Sequence, residues 1–148
     1  MVCLLGGCGS SHTVAVEGLT LTLPASWSVI APANPKHLLE ARRSSGPLLR
    51  LGGSLWVQEW AEAKGGWTAE TAEKWQRNTN GFDRAFMHQP ASNLSIAGVG
   101  HQSICVESVL ISRQPTLSCA VLGTPVVVSY VGSPTGETEM RNMLQGMM

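Results

Sequence analysis

The 148-residue sequence has little of what catalytic and nucleic-acid-binding sites usually require. It contains a single aspartate, Asp83, and four histidines, and only 14% of its residues are charged. A nucleic-acid groove needs an excess of basic residues to neutralise phosphates, but the formal net charge here is zero. The tightest basic pair, Arg42 and Arg43, is interpreted as two solvated strand or turn positions. We therefore expect no nucleic-acid partner.

Short motifs for cofactors, metals and nucleophilic catalysis are also missing. Gly98-Val99-Gly100 lacks the third glycine and the following helix of a dinucleotide loop. The cysteine and histidine spacings do not match a zinc site, and no Gly-x-Ser-x-Gly elbow occurs. His101 and Cys105 would lie about 13 Å apart on a strand, too far for a catalytic pair. The sequence thus predicts no catalytic residue, no metal and no cofactor.

The first residues, "MVCLLGGCGSS", bear on where the protein acts. Leu5-Gly6-Gly7-Cys8 resembles the bacterial lipobox, in which a small residue precedes a cysteine that becomes lipidated. A signal peptide needs a basic region and an apolar core of about 7–15 residues, whereas the short leader before Cys8 has no Lys or Arg. One hypothesis is a lipidated Cys8 within a signal remnant and tether over residues 1–13, the start codon being placed too late. The alternative is a disordered leader with incidental thiols at Cys3 and Cys8.

Residues 14–148 have the length and composition of one domain, with 43% hydrophobic residues and no apolar run of 18. Leu19, Leu21 and Leu23 alternate with threonines, which is typical of a half-buried strand. Further strands are predicted at 26–32, 37–43, 48–60, 101–112, 116–123 and 125–132, after a pair around Glu17-Gly18. A short helix over 36–43 is the alternative to the fourth strand. Gly52-Gly53 predicts a bulge or bend.

Two segments have helical periodicity. A helix is predicted over 69–79, with Thr68 as its N-cap, followed by irregular chain over 81–95. Near the end, Met140, Met143, Leu144 and Met147 form an amphipathic stripe, interpreted as core packing rather than a partner-binding face. The order of elements predicts an α+β fold, an antiparallel sheet with helices packed on its faces.

Two stretches carry a family resemblance. "GLTLTLPASWSV" resembles the opening of PsbP-like domains, where a strand ends in an LP-x-x-W corner, and "VVVSYVGSPTGETEMRNMLQGM" resembles their closing strand and helix. The family includes an extrinsic photosystem II subunit, a Ran-binding factor and bacterial DcrB-like lipoproteins. The resemblance implies an α/β/α sandwich over residues 14–147 that serves as a binding or assembly module. It carries over no functional residue, because fold does not imply function.

Cys105 and Cys119 lie on successive predicted strands. A disulfide between them is favoured if the protein is exported, and in the chain-entropy model it would stabilise the fold by about 3 kcal/mol. A tight turn at Gln114-Pro115 would misalign the two cysteines, so the bridge requires a longer loop centred near Ser112. Two buried free thiols are the alternative.

Aromatic and acidic side chains provide the remaining site predictions. Trp56, Trp60 and Trp67 would form a surface for a sugar or protein partner if exposed, or part of the core if buried. Two glutamate pairs, Glu59 with Glu62 and Glu137 with Glu139, are interpreted as solvated, with Glu137 favourably placed near a helix N-terminus.

Three functions follow in order of preference. The first is a non-enzymatic, lipid-anchored binding or assembly module on the periplasmic side of a bacterial envelope. The second is a cytoplasmic adaptor or chaperone of the same fold, with reduced cysteines. The third is an enzyme with a loop-based site around His88 and His101.

Overall fold

The computed structural model describes residues 11–44, 51–82 and 91–148. Its elements are, in chain order, β1 (His12–Val16), β2 (Leu19–Leu23), β3 (Trp27–Ile30), β4 (His37–Ser44), β5 (Leu51–Glu59), a 3₁₀ turn (Ala61–Ala63), α1 (Ala69–Phe82), β6 (Ser92–Ala97), β7 (Gln102–Val109), β8 (Pro115–Val121), β9 (Val126–Gly132) and α2 (Pro134–Gln145).

Seven strands form one antiparallel sheet in the order β3-β4-β5-β9-β8-β7-β6, and β1 and β2 form a separate hairpin. Helix α1 packs on one face of the sheet, mainly against β7 and β6. Helix α2 packs on the other face, where it also contacts β2. The layers confirm the predicted α+β fold with helices on both faces of an antiparallel sheet.

Alternation along the strands produces two hydrophobic cores. The larger lies between the sheet, α2 and the β1–β2 hairpin, and it contains the predicted methionine stripe. All four members of that stripe are at most 5% exposed, so its assignment to the core is confirmed. The smaller core lies under α1 and the 3₁₀ turn.

Both helices begin at the caps that their sequences provide. The Thr68 hydroxyl accepts a hydrogen bond from the backbone N–H of Thr71 at 3.2 Å, as the N-cap prediction requires. Ser133 caps α2 in the same way, accepting from the N–H of Gly136 at 3.1 Å, and Pro134 occupies the first helical position.

Several predicted boundaries were wrong. Residues 92–97 form strand β6, whereas irregular chain was expected through residue 95, and α1 continues to Phe82. β1 starts at His12, inside the segment predicted to be a tether. The alternative of a short helix over 36–43 is also wrong, because these residues belong to β4 and the chain before it.

The turn between β7 and β8 differs from a tight turn at Gln114-Pro115. Leu110 donates its N–H to the carbonyl of Gln114 at 2.9 Å, and Arg113 adopts a left-handed φ of 71°. The five-residue loop is therefore centred on Ser112. This register places Cys105 directly opposite Cys119.

The predicted bulge at Gly52-Gly53 is confirmed. The register between β4 and β5 shifts beside Gly53, which has a φ of 155° and lies against the ring of Tyr130. A Cβ atom at Gly53 would overlap the Tyr130 phenol. Tyr130 is 1% exposed and donates its hydroxyl to the carbonyl of Ser133 at 2.7 Å, so its ring has little room to move.

Gly53→Ala should therefore lower the free energy of unfolding by about 2–3 kcal/mol, through overpacking against Tyr130. The matched control is Gly65→Ala. Gly65 also has a positive φ, 89°, but no atom approaches its Cβ position within 4 Å, so the loss should be about 1 kcal/mol. Urea unfolding followed by circular dichroism measures both. Equal losses would show that Tyr130 yields to the added methyl group.

Candidate functional site

The face of the sheet on the α1 side changes character from one edge to the other. Residues directly opposite each other on neighbouring strands point to the same side, so the register defines rows of side chains across the sheet. Two of these rows begin with polar residues on β4 and β5 and end on β7, near α1. Their members are Glu40, Trp56, Ser129, Ser118 and Val106 in one row and His37, Gln58, Val127, Ala120 and Ile104 in the other.

We call the polar part of this surface the open sheet face, defined by Glu40, Arg42, Ser54, Trp56, Gln58, Ser118 and Ser129. Helix α1 lies mainly over β7 and β6, at the apolar end of the rows. Trp56, Gln58, Ser54 and Ser118 are half-buried, and Arg42 is exposed. The Ser118 and Ser129 hydroxyls lie 3.1 Å apart. The face thus combines one aromatic ring with hydroxyl and amide groups and with the charged side chains of Glu40 and Arg42.

Trp56 is fixed by its neighbours. The imidazole of His37 stacks on its indole with ring centroids 5.6 Å apart and an interplanar angle of 13°. His37 Nδ1 lies 2.8 Å from Oε2 of Glu40, which also accepts the backbone N–H of Asn34 at 3.3 Å. The hydrogen bond from His37 holds the pKa of Glu40 below its usual value, so this carboxylate stays charged.

The other two tryptophans of the predicted surface lie further along. Trp67 is 2% exposed and donates its indole N–H to the carbonyl of Val126 at 2.9 Å, so it belongs to the core. Trp60 is half-buried, and its ring meets that of Trp75 edge-on at 6.3 Å. Of the three, Trp56 is the one that lies on the open sheet face.

Of the two histidines proposed for a loop-based enzyme, His101 belongs to the described residues. His101 is half-buried, and its Nδ1 lies 3.0 Å from the carbonyl oxygen of Leu122. His88 lies outside the described residues, as do Cys3 and Cys8. Cys105 is bonded to Cys119, so a Cys105–His101 pair has no free thiol.

The disulfide between Cys105 and Cys119 occupies the middle of the larger core. The two Cα atoms are 4.1 Å apart on adjacent strands, and both residues are completely buried. Gln76 of α1 donates its side-chain amide to the carbonyl of Cys105 at 2.8 Å. Helix α1 is thereby tied to the strand that carries the bridge.

Glu137 and Glu139 were wrongly interpreted as solvated. Glu139 accepts hydrogen bonds from Arg43 Nε at 2.6 Å and from Trp27 Nε1 at 2.9 Å. Arg43, predicted to be solvated with Arg42, is therefore half-buried in an ion pair. Glu137 lies beside Glu107 of β7, which pairs with Arg141. No local sequence pattern could have revealed these contacts. Arg43 lies 96 residues before Glu139 in the chain, and Glu107, the neighbour of Glu137, lies on a different element, β7.

The two glutamates respond oppositely to their surroundings. Burial raises the pKa of Glu139, but hydrogen bonds from Arg43 and Trp27 outweigh it and leave that pKa lowered. Burial raises the pKa of Glu137, and so do the hydrogen bond to Glu107 and the negative charge of Glu107. The positive charge of Arg141 lowers it, and the resulting pKa is about 7. One carboxylate is thus permanently charged near neutral pH, while the other exchanges a proton there.

Neither a metal centre nor a membrane-spanning helix emerges from the described residues. Within residues 11–44, 51–82 and 91–148, no three histidine, cysteine, aspartate or glutamate side chains are grouped to hold a metal ion. No helix in these ranges is long and apolar enough to cross a membrane.

Comparison with known proteins places this architecture in a recognisable class. No family model matches the chain, and no curated protein matches its sequence. The structure is similar to the solution structure of cyanobacterial PsbP (CyanoP) from Synechocystis sp. PCC 6803, with a TM-score of 0.54. The match covers 100% of this chain and 97% of that one at 11% identity. The α+β sandwich described above is therefore a PsbP-like fold.

Substitution of the tryptophans should separate the core from the open sheet face. Trp67→Ala removes a buried ring and a buried hydrogen bond, and should lower the free energy of unfolding by about 3–5 kcal/mol. Trp56→Ala removes a half-buried ring that stacks on His37, and should cost less than about 1.5 kcal/mol. Urea titration of both variants checks this. A loss at Trp56 as large as that at Trp67 would assign Trp56 to the core.

Proposed function

We propose that the protein is a non-enzymatic binding or assembly module, exported to a bacterial cell envelope and anchored there by a lipid on Cys8. The observation that carries the binding function is the open sheet face. It presents an ordered indole, that of Trp56, among hydroxyl and amide groups. Such a surface suits recognition by stacking and hydrogen bonding.

The chemistry of the nearby groups supports binding over catalysis. Nucleophilic catalysis requires a nucleophile, a base and a group that orients the base. On the open sheet face the hydroxyls of Ser118 and Ser129 bond to each other, and His37 faces the carboxylate of Glu40 and the ring of Trp56. His37 and the serine hydroxyls thus have separate partners, and the PsbP-like fold agrees with a binding role.

The disulfide supports export. Bridges between cysteines persist in oxidising compartments such as the bacterial periplasm, whereas cytoplasmic thiols are usually kept reduced. Cys105 and Cys119 are bonded and buried in the fold. The lipobox-like Leu5-Gly6-Gly7-Cys8 supports the same compartment and supplies the anchor. A cytoplasmic adaptor of the same fold is the alternative, and it would keep both thiols free.

Site-specific photo-crosslinking tests the binding surface. A photoreactive amino acid at Gln58, on the open sheet face, should give discrete crosslinked products with envelope components in the producing cell. The matched control carries the photoreactive amino acid in place of Gln145, which is exposed on α2 in the opposite layer. Products should depend on Trp56 and disappear in a Trp56→Ala background. Identical products from both positions would exclude the open sheet face as the specific surface.

Mass and thiol measurements test the compartment. Protein made from its native locus, upstream DNA included, should begin at Cys8 and carry diacylglycerol and an acyl chain, and Cys8→Ser should abolish the modification. Ellman titration of denatured, unreduced protein with Cys3 and Cys8 replaced by serine should find no free thiol. An unmodified start at Met1 or Val2 with two free thiols would support the cytoplasmic adaptor instead.

A further inference from the structure

The Cys105–Cys119 disulfide is completely buried. Cys105 and Cys119 have no exposed surface, and they share the larger core with Met140, Met143 and Leu144 of α2. Thiol–disulfide chemistry requires a reductant to approach one sulfur atom directly. The bridge can therefore react only when the layer above it, formed by α2 and the β1–β2 hairpin, moves away.

A cluster of charged groups fastens α2 to the strand that carries Cys105. Glu107 lies two residues further along β7, so its side chain points to the same side of the sheet as Cys105. Arg141 of α2 donates its Nη2 to Oε2 of Glu107. Glu137, one helical turn before Arg141, meets the same glutamate. We call Glu107, Glu137 and Arg141 the latch.

The latch has two carboxyl groups and one guanidinium. Oε2 of Glu137 is buried, and no hydrogen-bond donor of the described residues reaches it. Among the residues that the structure describes, the titratable groups around Glu137 are Glu107 from β7, Arg141 from α2 and Tyr130 from β9. Strand β6 contributes no titratable side chain. Two adjacent carboxylates beside a single cation are best accommodated with one of them protonated.

We infer that the latch is proton-sensitive, so that deprotonation of Glu137 loosens α2 and admits a reductant to the Cys105–Cys119 disulfide. The direction follows from linkage. The pKa of Glu137 is about 7 with α2 docked, against an ordinary value of 4.5 when the side chain is free in water. The docked state therefore binds the proton more tightly. Its stabilisation by that proton is complete below pH 4.5 and is lost as the pH rises through 7.

The proposed device goes beyond the proposed function and does not depend on it, since it requires only that the disulfide forms. It would make the bridge resistant to reduction in mildly acidic surroundings and accessible above neutral pH.

The test is the rate at which a water-soluble phosphine reduces the bridge in the folded, full-length chain, with Cys3 and Cys8 replaced by serine. The phosphine attacks one sulfur atom and breaks the S–S bond. Water then transfers its oxygen to phosphorus and its protons to the two thiolates, giving phosphine oxide and two thiols. Acid quenching, alkylation and mass measurement count the thiols. A small, exposed peptide disulfide corrects for the phosphine's own pH dependence.

The corrected rate should rise about tenfold between pH 6 and pH 8.5, as a docked pKa of about 7 and a free value of 4.5 require. Glu137→Gln, which mimics the protonated side chain, should be reduced slowly and at the same rate at both pH values. Glu107→Gln removes the neighbouring charge, so the midpoint of the rise should move to lower pH. If Glu137→Gln does not fold, the shift of the midpoint in Glu107→Gln still tests the inference.

Glu139→Gln is the matched control on the same helix. It loses the ion pair with Arg43, so reduction should be faster at every pH, while the tenfold ratio of wild type is kept. The inference is overturned if wild type shows no rise, if Glu137→Gln keeps the wild-type rise, or if Glu107→Gln leaves its midpoint unchanged. It is also overturned if reduction at each pH proceeds at the rate of global unfolding, because the reductant would then enter through complete unfolding and not through local opening of α2.

Discussion

Docking of α2 onto the sheet is the constraint on which the rest of the structure depends. The carboxylate of Glu139 accepts hydrogen bonds from Trp27, Arg43 and Ser26, which lie 96 to 113 residues earlier in the chain. One side chain near the end of the chain thereby joins β3 and β4 to the last helix. The methionine stripe then covers the sheet from the same helix, and the main-chain bonds between Met148 and Thr20 extend the contact to the β1–β2 hairpin.

Glu137 and Glu139 are two residues apart on α2, yet their pKa values shift in opposite directions. Glu139 has cationic and neutral donors around it, so its charge is stabilised in the fold and lost only in acid. Glu137 shares its surroundings with Glu107, so its charge is opposed by a like charge and by burial. The two glutamates point to different parts of the sheet because residues two apart on a helix lie on different sides of it. A single helix therefore has one attachment that weakens in acid and another that weakens in base.

Sequence periodicity could predict the elements but not how distant elements meet. Strands such as Leu19–Leu23 bury every second residue, and a period-2 pattern reveals them. Strand β6 was missed because, of its six residues, Leu94 and Ile96 are the large apolar ones, alternating with serine and asparagine. The loop before β8 is centred on Ser112, as the predicted disulfide requires, but its left-handed Arg113 is a conformation that the residue type does not signal.

The same limit applies to the sites. Cys105 and Cys119 could be paired from sequence because they lie on successive strands, and the pairing itself required the longer loop centred near Ser112. The partners of Glu137 and Glu139 could not be predicted, because they depend on which face of α2 meets which strand. The open sheet face likewise depends on strand order, since β5 is adjacent in the sheet to β9, which lies far away in sequence.

The open sheet face and the latch lie on opposite sides of the same sheet. Trp56 points to the α1 side, whereas Glu107 and the disulfide point to the α2 side. A partner bound at Trp56 therefore need not displace α2, and opening of α2 need not remove the indole from its place on β5. The sheet nevertheless connects the two, because β9 lies between β5 and β8 and hydrogen-bonds to both. Two routes connect the open sheet face with α2: β9, the strand that precedes α2, and β4, whose Arg43 pairs with Glu139 of α2.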